Sequence, residues 1–458
     1  MNCPFQTDAG TVRRILGVAG LAVRASLRTK TVVALLVLLA ACVLILPRVV
    51  RGDGTPEGDL HILLSYTLGF SFGILCLSTL WSSCALFAAE IENMRIQLSA
   101  VKPVRTIDFW LGKWMALLAM NAVLLLAVHA GVYAQARWRI HRSGGIAAES
   151  LTSRHVTHPV LPTPRAEALN MYRKLQEQNA LPKGLSKNTV LQVLEQKASE
   201  RYDVLNPGEP ISWTFRLARS VRIGDPVTVR VKFDTEFSTR ELVKGVFKLS
   251  TAQRPGAAVE VKLDDFTQNE IEFVVDTRAF AGSGAPELRD FALTFVHAGD
   301  AKRSAALMLR ARQDVVLLTP GGSFVANQLR AAAIQGGVLA LLAAFGLMLS
   351  ACFSLPVAAF TATVLLVLTV VGNSVVQTAT EEDEKMWYNR FGIGVSRVVN
   401  QATSHAMKAE PLKALSRGER IERSVWVSSV LWNGVLIPCV FGLAGCVILR
   451  RRELAQGE

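Results

Sequence analysis

TVVALLVLLAACVLILPRV, residues 31–49, is the stretch from which the fold class follows. Its only charged residue is Arg48, and a helix of about 20 apolar residues is long enough to cross a bilayer. The whole chain agrees, because half of its 458 residues are hydrophobic and only 19% are charged. A soluble chain carries roughly a quarter of charged residues. The sequence therefore predicts an α-helical membrane protein.

Six apolar segments are predicted as transmembrane helices: about 31–49, 61–89, 111–134, 331–353, 356–377 and 427–449. The second is rich in serine and threonine, which allow close approach and hydrogen bonding between helices in lipid. We expect this face to pack against other helices, with a substrate path as the alternative. The third contains Asn121 and His129, and an ionisable group within a span suggests function. Against this, His129 lies near the far end of the segment, where water reaches.

The N-terminal residues 1–30 are predicted to form a cytoplasmic amphipathic helix. Within 11–29, four arginines (Arg13, Arg14, Arg24 and Arg28) share one face, whereas apolar residues fill most of the remainder. Such a helix lies in the membrane interface with its arginines toward anionic lipids. A basic flank to the first span is the alternative. The net charge of +13 is thus attributed to lipids and topology, not to nucleic acid, because no zinc-finger spacing or aromatic basic patch is present.

Residues 135–329 are predicted to form an extracytoplasmic α+β insert. Its first part, 165–202, has helical patterns, whereas 211–320 has the alternation of a β-sandwich. The candidate strands are 211–217, 226–233, 245–250, 257–263, 270–276, 289–298, 304–311 and 314–320. The insert contains no cysteine, so no disulfide framework holds it together.

Basic residues of short loops predict the topology, because they accumulate on the cytoplasmic side. The N-terminal stretch, the connection between the second and third spans, and Arg450–Arg452 are all basic. We therefore expect a multi-pass protein of the inner (cytoplasmic) membrane with both termini cytoplasmic, and 427–458 as last span and tail. The 378–426 loop then lies outside. Its MWYNRFGIGVSRVVNQ stretch predicts an interfacial or partly re-entrant helix, or a small helical cap.

The connection EIENMRIQLSAVKPVRTIDFWLGK, Glu90–Lys113, has the spacing of a short amphipathic helix. Its apolar residues share one face and Pro103 cannot continue the helix. The apolar residues are Ile91, Met94, Leu98 and Val101. Trp110 and Trp114 are expected to mark the membrane interface where the next span begins. This stretch is either an ordinary loop or a helix presented to a soluble partner.

No catalytic motif is legible in the chain. It lacks the G-x-x-x-x-G-K-[ST] phosphate loop, and its glycine-rich segments predict turns. Histidine is a common metal ligand, and three histidines lie close together in the sequence: His141, His155 and His158. No helix is predicted to hold them in a fixed arrangement, so we predict no metal site. We expect neither an enzyme activity nor a cofactor in this chain.

The chain resembles the membrane subunit, or permease, of ABC-type exporters of the second class. Four features carry the resemblance: the basic helix before the first span; the spacing Glu92, Leu98, Pro103, Val104, Arg105, Leu111, Gly112 and Lys113; the hairpin of Ser354, Pro356 and Val357; and the closing Arg451–Leu454. It covers the six spans, somewhat over half of the chain. The long insert departs from compact members, so the resemblance leaves the substrate open.

The resemblance implies that 90–105 is a coupling helix docked on a separate ABC ATPase, which binds ATP and Mg. The residues it assigns to this contact are Glu92, Arg95, Leu98, Pro103, Arg105 and Lys113. It also implies a second permease copy, identical or different. The alternative is a membrane-anchored ligand-binding or sensor protein. A sensor should carry a cytoplasmic output domain, and the predicted inside holds only short segments.

Overall fold

The computed structural model describes residues 9–50, 56–92, 105–142, 151–178, 187–235, 240–251, 254–280, 287–298, 307–378 and 410–451. Its helices are α1 Ala9–Arg28, α2 Thr31–Val49, α3 Pro56–Ile62, α4 Leu68–Glu92, α5 Thr106–Arg142, α6 Pro164–Glu177, α7 Lys187–Asp203, α8 Ala311–Asp314, α9 Phe324–Cys352, α10 Leu355–Thr378, α11 Pro411–Ser416, α12 Arg423–Leu431 and α13 Ile437–Arg451. The π turns Leu63–Thr67 and Trp432–Leu436 join α3 to α4 and α12 to α13. The chain divides into two compact units, Met1–Thr152 with Ser323–Glu458, and Ser153–Gly322.

The first unit is helical. Among the described residues, five helical segments are long and apolar enough to cross a membrane: Thr31–Val49, Gly58–Leu86, Thr106–Arg142, Phe324–Cys352 and Arg423–Arg451. The remaining predicted span, 356–377, corresponds to helix α10, in which the described apolar stretch is the shorter Leu355–Val367. A count of six spans therefore stays a prediction.

Helix α5 is longer than the predicted span of 111–134, and its length shifts the start of the insert. Its last turns are polar yet helical because they are held against α2. The Gln135 side-chain amide donates to the Val43 carbonyl at 2.7 Å, and the Arg139 guanidinium donates to the Pro47 carbonyl at 3.1 Å. Helix α9 begins at Phe324, before the predicted end of the insert. The compact second unit, Ser153–Gly322, therefore contains fewer residues than the predicted insert of 135–329.

Helix α9 is the centre of the helical unit and packs against α4, α5 and α13. Small residues permit this packing. A β-carbon added at Gly346 would overlap the Ser83 hydroxyl, so α9 and α4 approach closely there. Ser71, Thr79 and Ser83 are each at most 1% exposed. The expectation that the small polar residues of the second span face other helices is thus confirmed for these three.

The second unit contains, in the described residues, strands β1 Thr152–Thr157, β2 Val204–Leu205, β3 Pro210–Arg222, β4 Pro226–Lys232, β5 Asp234–Thr235, β6 Leu242–Thr251, β7 Arg254–Phe266, β8 Glu270–Asp276, β9 Glu287–His297, β10 Leu307–Met308 and β11 Val315–Ser323. They form two four-stranded sheets, ordered β1-β11-β4-β8 and β3-β9-β6-β7, and a small sheet β2-β10-β5. The pairings of β4 with β8 and β11, and of β9 with β3 and β6, are antiparallel.

The core of this unit lies between the two four-stranded sheets. Phe247 of one sheet packs at 5.0 Å from Phe273 of the other, between ring centroids, and at 4.6 Å from Phe295 of its own sheet. Alternation along β6, in which every second side chain is buried, puts the apolar face inward. The β-rich region that the sequence predicts is therefore present, as are helices α6 and α7 near the predicted 165–202.

Two local features of this unit differ from the expectation. Over 304–311, the described part holds only the two-residue β10, and α8 follows because Asp314 accepts the Arg310 backbone N–H at 2.8 Å and ends the extended chain. Strand β1 was not predicted. It is ordered by pairing with β11, which is distant in sequence, so its local pattern gives no sign of it.

The described part of the 378–426 loop is a short cap on α9. Helix α11 ends with Gly418 at φ 65°, and the Glu419 N–H donates to the Ala414 carbonyl at 2.7 Å, a glycine-terminated helix end. The Asn327 side chain binds both the Glu419 carbonyl and the Ile421 N–H. The predicted interfacial helix with Trp387, Tyr388, Phe391, Ile393, Val395 and Val398 lies outside the described residues.

Candidate functional site

The candidate site is the base of the connection 93–104, formed by the end of α4 and the start of α5. Arg95, Leu98 and Pro103 lie outside the described residues. Glu92 is the last residue of α4. Arg105 is exposed, and its carbonyl accepts the Asp108 N–H at 2.9 Å and the Phe109 N–H at 3.1 Å, which starts α5. The two ends that flank the connection are therefore both helical.

Lys113 joins these two helices. Its side chain is 2% exposed, its ammonium donates to the Leu86 carbonyl at 2.8 Å, and it lies 4.6 Å from the Phe109 ring centroid. A buried ammonium requires such partners, because removal from water without them is costly. Lys113 thus contacts this chain's own helices and does not face outward as a partner-binding residue would.

Helix α1 packs against the same end of α5. A β-carbon added at Gly112 would lie 2.6 Å from Val18 Cβ and 2.9 Å from the Ile15 carbonyl oxygen, so only glycine permits this approach. Asp108, 2% exposed, forms an ion pair with Arg14 at 3.9 Å. The amphipathic helix is therefore fixed to the first turns of α5, which directly follow the connection.

Trp110 and Trp114 of α5 contact α13 and α9, respectively. A β-carbon at Gly442 would lie 2.8 Å from the Trp110 ring, and the Trp114 indole N–H donates to the Ala340 carbonyl at 3.0 Å. Trp110 is 2% exposed and stacks on Trp114 with 5.9 Å between centroids. Trp110 is therefore a packing residue inside the helical unit, and the position of the two tryptophans at the membrane interface stays a prediction.

These contacts link several helices at the base of the connection 93–104. Residues 93–104 connect two helices that are linked by Lys113, and α5 is bonded or packed to α1, α9 and α13 within its first three turns. A displacement of the connection would move these helices together, because packed helices shift as rigid elements. The link between Lys113 and Leu86 was not predicted from the sequence. A lysine four residues after Phe109, on the same helical face, was the available signal.

A comparison of the chain with protein-family models, curated proteins and solved structures finds no match. The resemblance to exporter permeases therefore depends on the sequence motifs and their spacing. In the second unit, His155 lies on β1 and is half-buried, and His158 is exposed. No group of three metal-binding side chains occurs in the part of the chain that the structure describes.

Proposed function

We propose that this chain is the permease subunit of an ATP-driven exporter, with ATP hydrolysed on a separate ATPase that docks on residues 90–105. The observation that supports the proposal most directly is the bond from the Lys113 ammonium to the Leu86 carbonyl. It links the two helices on either side of the docking segment. A displacement of the docking segment by the ATPase would then move α4 and α5 together, because the bond holds these two helices to each other.

The surface of helix α1 supports the proposal, because it is suited to contact membrane lipids. Arg13, Arg24 and Arg28 are exposed, and so are the apolar Leu16 and Leu27, at 60% and 50%. A helix that offers both chemistries suits the boundary between headgroups and acyl chains. Through Gly112 and Asp108 it is attached to α5. We propose that it keeps the docking segment at the cytoplasmic surface of the inner membrane.

The permease would act with a second copy, identical or different, as the family resemblance implies. In this proposal the ATPase binds ATP and Mg, and this chain contributes contact and lever residues. The β-rich unit Ser153–Gly322 would handle a substrate or a partner outside the cytoplasm.

A second function is favoured by that same unit. Its two sheets enclose their own aromatic core, so it has the construction of an independent binding module. A membrane-anchored ligand-binding or sensor protein would use the helices mainly as an anchor.

Co-purification distinguishes the two functions. The full chain, expressed from its native locus with an affinity tag and extracted in mild detergent, should retain an ABC ATPase. Deletion of 93–104 should release the ATPase while leaving the protein in the membrane. Matched replacement of 93–104 by a flexible linker of equal length controls for the loop length. Absence of any ATPase from the purified wild-type protein would contradict the exporter and favour the anchor.

A further inference from the structure

We propose that strand β7 pairs edge to edge with β7 of a second, identical copy of this chain, in the antiparallel direction. Strand β7, Arg254–Phe266, is the last strand of the sheet β3-β9-β6-β7. A strand at the edge of a sheet has a row of backbone groups that another chain can bind. The pairing would join the sheets of two copies into one continuous sheet. It does not depend on the exporter function, because it uses the β-rich unit alone.

The direction of the backbone groups along β7 follows from its neighbour β6. The Lys244 carbonyl accepts the Ala298 N–H at 2.8 Å, so the backbone groups of Lys244 point toward the β9 side. Backbone groups of successive residues point to opposite sides, so those of Gly245 point toward β7, where its partner is Leu263. By the same alternation, every second residue of β7 points its backbone groups out of the sheet. These residues are Glu260, Lys262 and Asp264.

The outer edge of β7 is open. Among the described residues, the backbone of 258–265 makes no backbone hydrogen bond beyond its pairing with β6. The helical turn Thr277–Phe280 packs against β7, but the side chains of Glu260, Lys262 and Asp264 stay exposed. On the opposite face, Val259 and Val261 pack against the core of the unit and are only half-buried. A partner strand would therefore bond the free backbone groups and cover apolar side chains.

The charges on the exposed face of β7 are complementary to themselves in one direction of pairing. In an antiparallel pair centred on Val261, Glu260 of each copy faces Lys262 of the other, so unlike charges meet twice across a two-fold axis. A pair centred on Lys262 would place that lysine against itself and Glu260 against Asp264. A pair centred on Glu260 would place that carboxylate against itself. Like charges directly opposite each other are destabilising, so these two registers are disfavoured.

The inner face of the sheet selects between the remaining registers. A pair centred on Leu263 also opposes unlike charges, because Lys262 would face a carboxylate. On the inner face, however, it would place the half-buried Asp265 against Val261. The pair centred on Val261 instead places Val259 against Leu263, and Val261 against itself. All opposing side chains are then apolar, so we select this register.

The pairing would also extend an ion pair that exists within one copy. The Glu260 carboxylate binds the Lys248 ammonium of β6 at 2.6 Å. With Lys262 of the second copy on its other side, the carboxylate would lie between two ammonium groups, and its two oxygens can accept from both. The side chains of Lys248 and Glu260 are 45% and 57% exposed. Such exposed pairs contribute little affinity, so we assign them to the choice of register.

Two other sheet edges of the unit are less suited to self-pairing. Strand β8 ends the other four-stranded sheet, and its exposed face carries Glu270, Glu272 and Asp276. An antiparallel pair of β8 with itself would bring carboxylates together. Strand β3 lies at the far end of the sheet that contains β7, and the Thr214 carbonyl there accepts the Val160 N–H at 2.7 Å. Strand β7 is therefore the edge that is both open and complementary to itself.

The test is disulfide trapping of the full chain in native membranes. The unit Ser153–Gly322 contains no cysteine, and oxidised wild-type protein gives the background of the native cysteines. In the proposed register, residue 261 faces itself with about 4.5 Å between Cα atoms, which a disulfide can bridge. Val261→Cys should therefore form a covalent dimer on mild oxidation. Val259→Cys, on the same face, would lie about 14 Å from its equivalent and should not.

A charge change at the edge tests the register. Added to Val261→Cys, the change Lys262→Glu should slow trapping about tenfold, because two like-charged pairs replace two unlike ones. Lys244→Glu is the matched control, since it makes the same charge change at an exposed position of β6, away from the edge. The control should trap as fast as Val261→Cys alone.

A second measurement uses the unmodified chain. Two differently tagged wild-type copies, co-expressed and treated with a carbodiimide, should be joined by an amide bond between Glu260 of one copy and Lys262 of the other. Mass spectrometry of the joined peptides identifies these residues. Equal trapping of Val259→Cys and Val261→Cys, or unchanged trapping with Lys262→Glu, would overturn the proposal. So would a dimer of the full chain with neither crosslink, and this result would leave the exporter function standing.

Discussion

The ammonium of Lys113 donates a 2.8 Å hydrogen bond to the carbonyl of Leu86, 27 residues earlier in the chain. These residues lie on the two helices that flank the connection 93–104. The bond crosses between helices inside an apolar environment, where a charge without a partner is strongly unfavourable. It links α4 to the first turns of α5 at the base of the connection.

Lys113→Met should leave the free energy of unfolding within about 1 kcal/mol of wild type, because packed apolar volume often replaces a buried charge at little cost. Lys113→Glu should lower it by about 3 kcal/mol or more, since a carboxylate would face the Leu86 carbonyl without a donor. Denaturant unfolding in detergent, followed by tryptophan fluorescence, measures both. Equal stability of the two variants would show that Lys113 is not held in this buried bond.

Gly112→Leu should separate α1 from α5, because even a β-carbon there would lie 2.6 Å from Val18 Cβ. Overpacking of this kind costs about 1–3 kcal/mol. The measurement is labelling of a cysteine placed at Ala19 by a soluble maleimide, which should accelerate when α1 is released. Gly73→Leu is the matched control, since a β-carbon there meets nothing within 4 Å. Unchanged labelling in Gly112→Leu would refute the close contact.

Glu92→Ala and Leu98→Ala should uncouple ATP hydrolysis from transport, if 90–105 docks on an ATPase. Both variants should insert normally, because neither change removes an apolar span. The readouts are ATPase activity of the co-purified complex and export by the intact cell, and we expect export to fall by about tenfold, which corresponds to about 1.4 kcal/mol of lost coupling. Tyr66→Ala, an exposed residue of the second span, is the control. Wild-type export by both variants would argue against a coupling role.

Acidification should destabilise the β-rich unit through His297. This residue is 4% exposed, and burial lowers the pKa of its imidazole below the ordinary value. The unfolded chain, with a histidine pKa of about 6.5, then binds more protons than the folded chain. Stability is therefore fully present above about pH 6.5 and declines as the pH falls below it.

Thermal unfolding between about pH 5 and 8 measures this dependence. The His297→Gln variant should lose less stability than the wild type as the pH falls below about 6.5. The His158→Gln variant, changed at an exposed position, should lose as much as the wild type. A wild-type decline that persists in His297→Gln would assign the pH effect to other groups.

The helices of the spans were predictable because their apolar composition is a local property. Residues 31–49 are nearly free of charge, and the helix has these same bounds. The ends of the third span were not predictable. Gln135 and Arg139 are polar, and only their bonds to carbonyls of α2 keep them helical. Strand β1 was likewise not predictable from the sequence, since its partner β11 begins more than 150 residues later.

By itself, the sequence determined the class of the protein: apolar helices, a β-rich insert, and a basic amphipathic helix ahead of the first span. Hydropathy, periodicity and turn residues act over a few neighbours, so they are legible in the chain. Only the tertiary structure decided what Lys113, Trp110 and His129 contact. Their partners, Leu86, Gly442 and Gln335, are distant in sequence, and burial alone makes those bonds and packing contacts necessary.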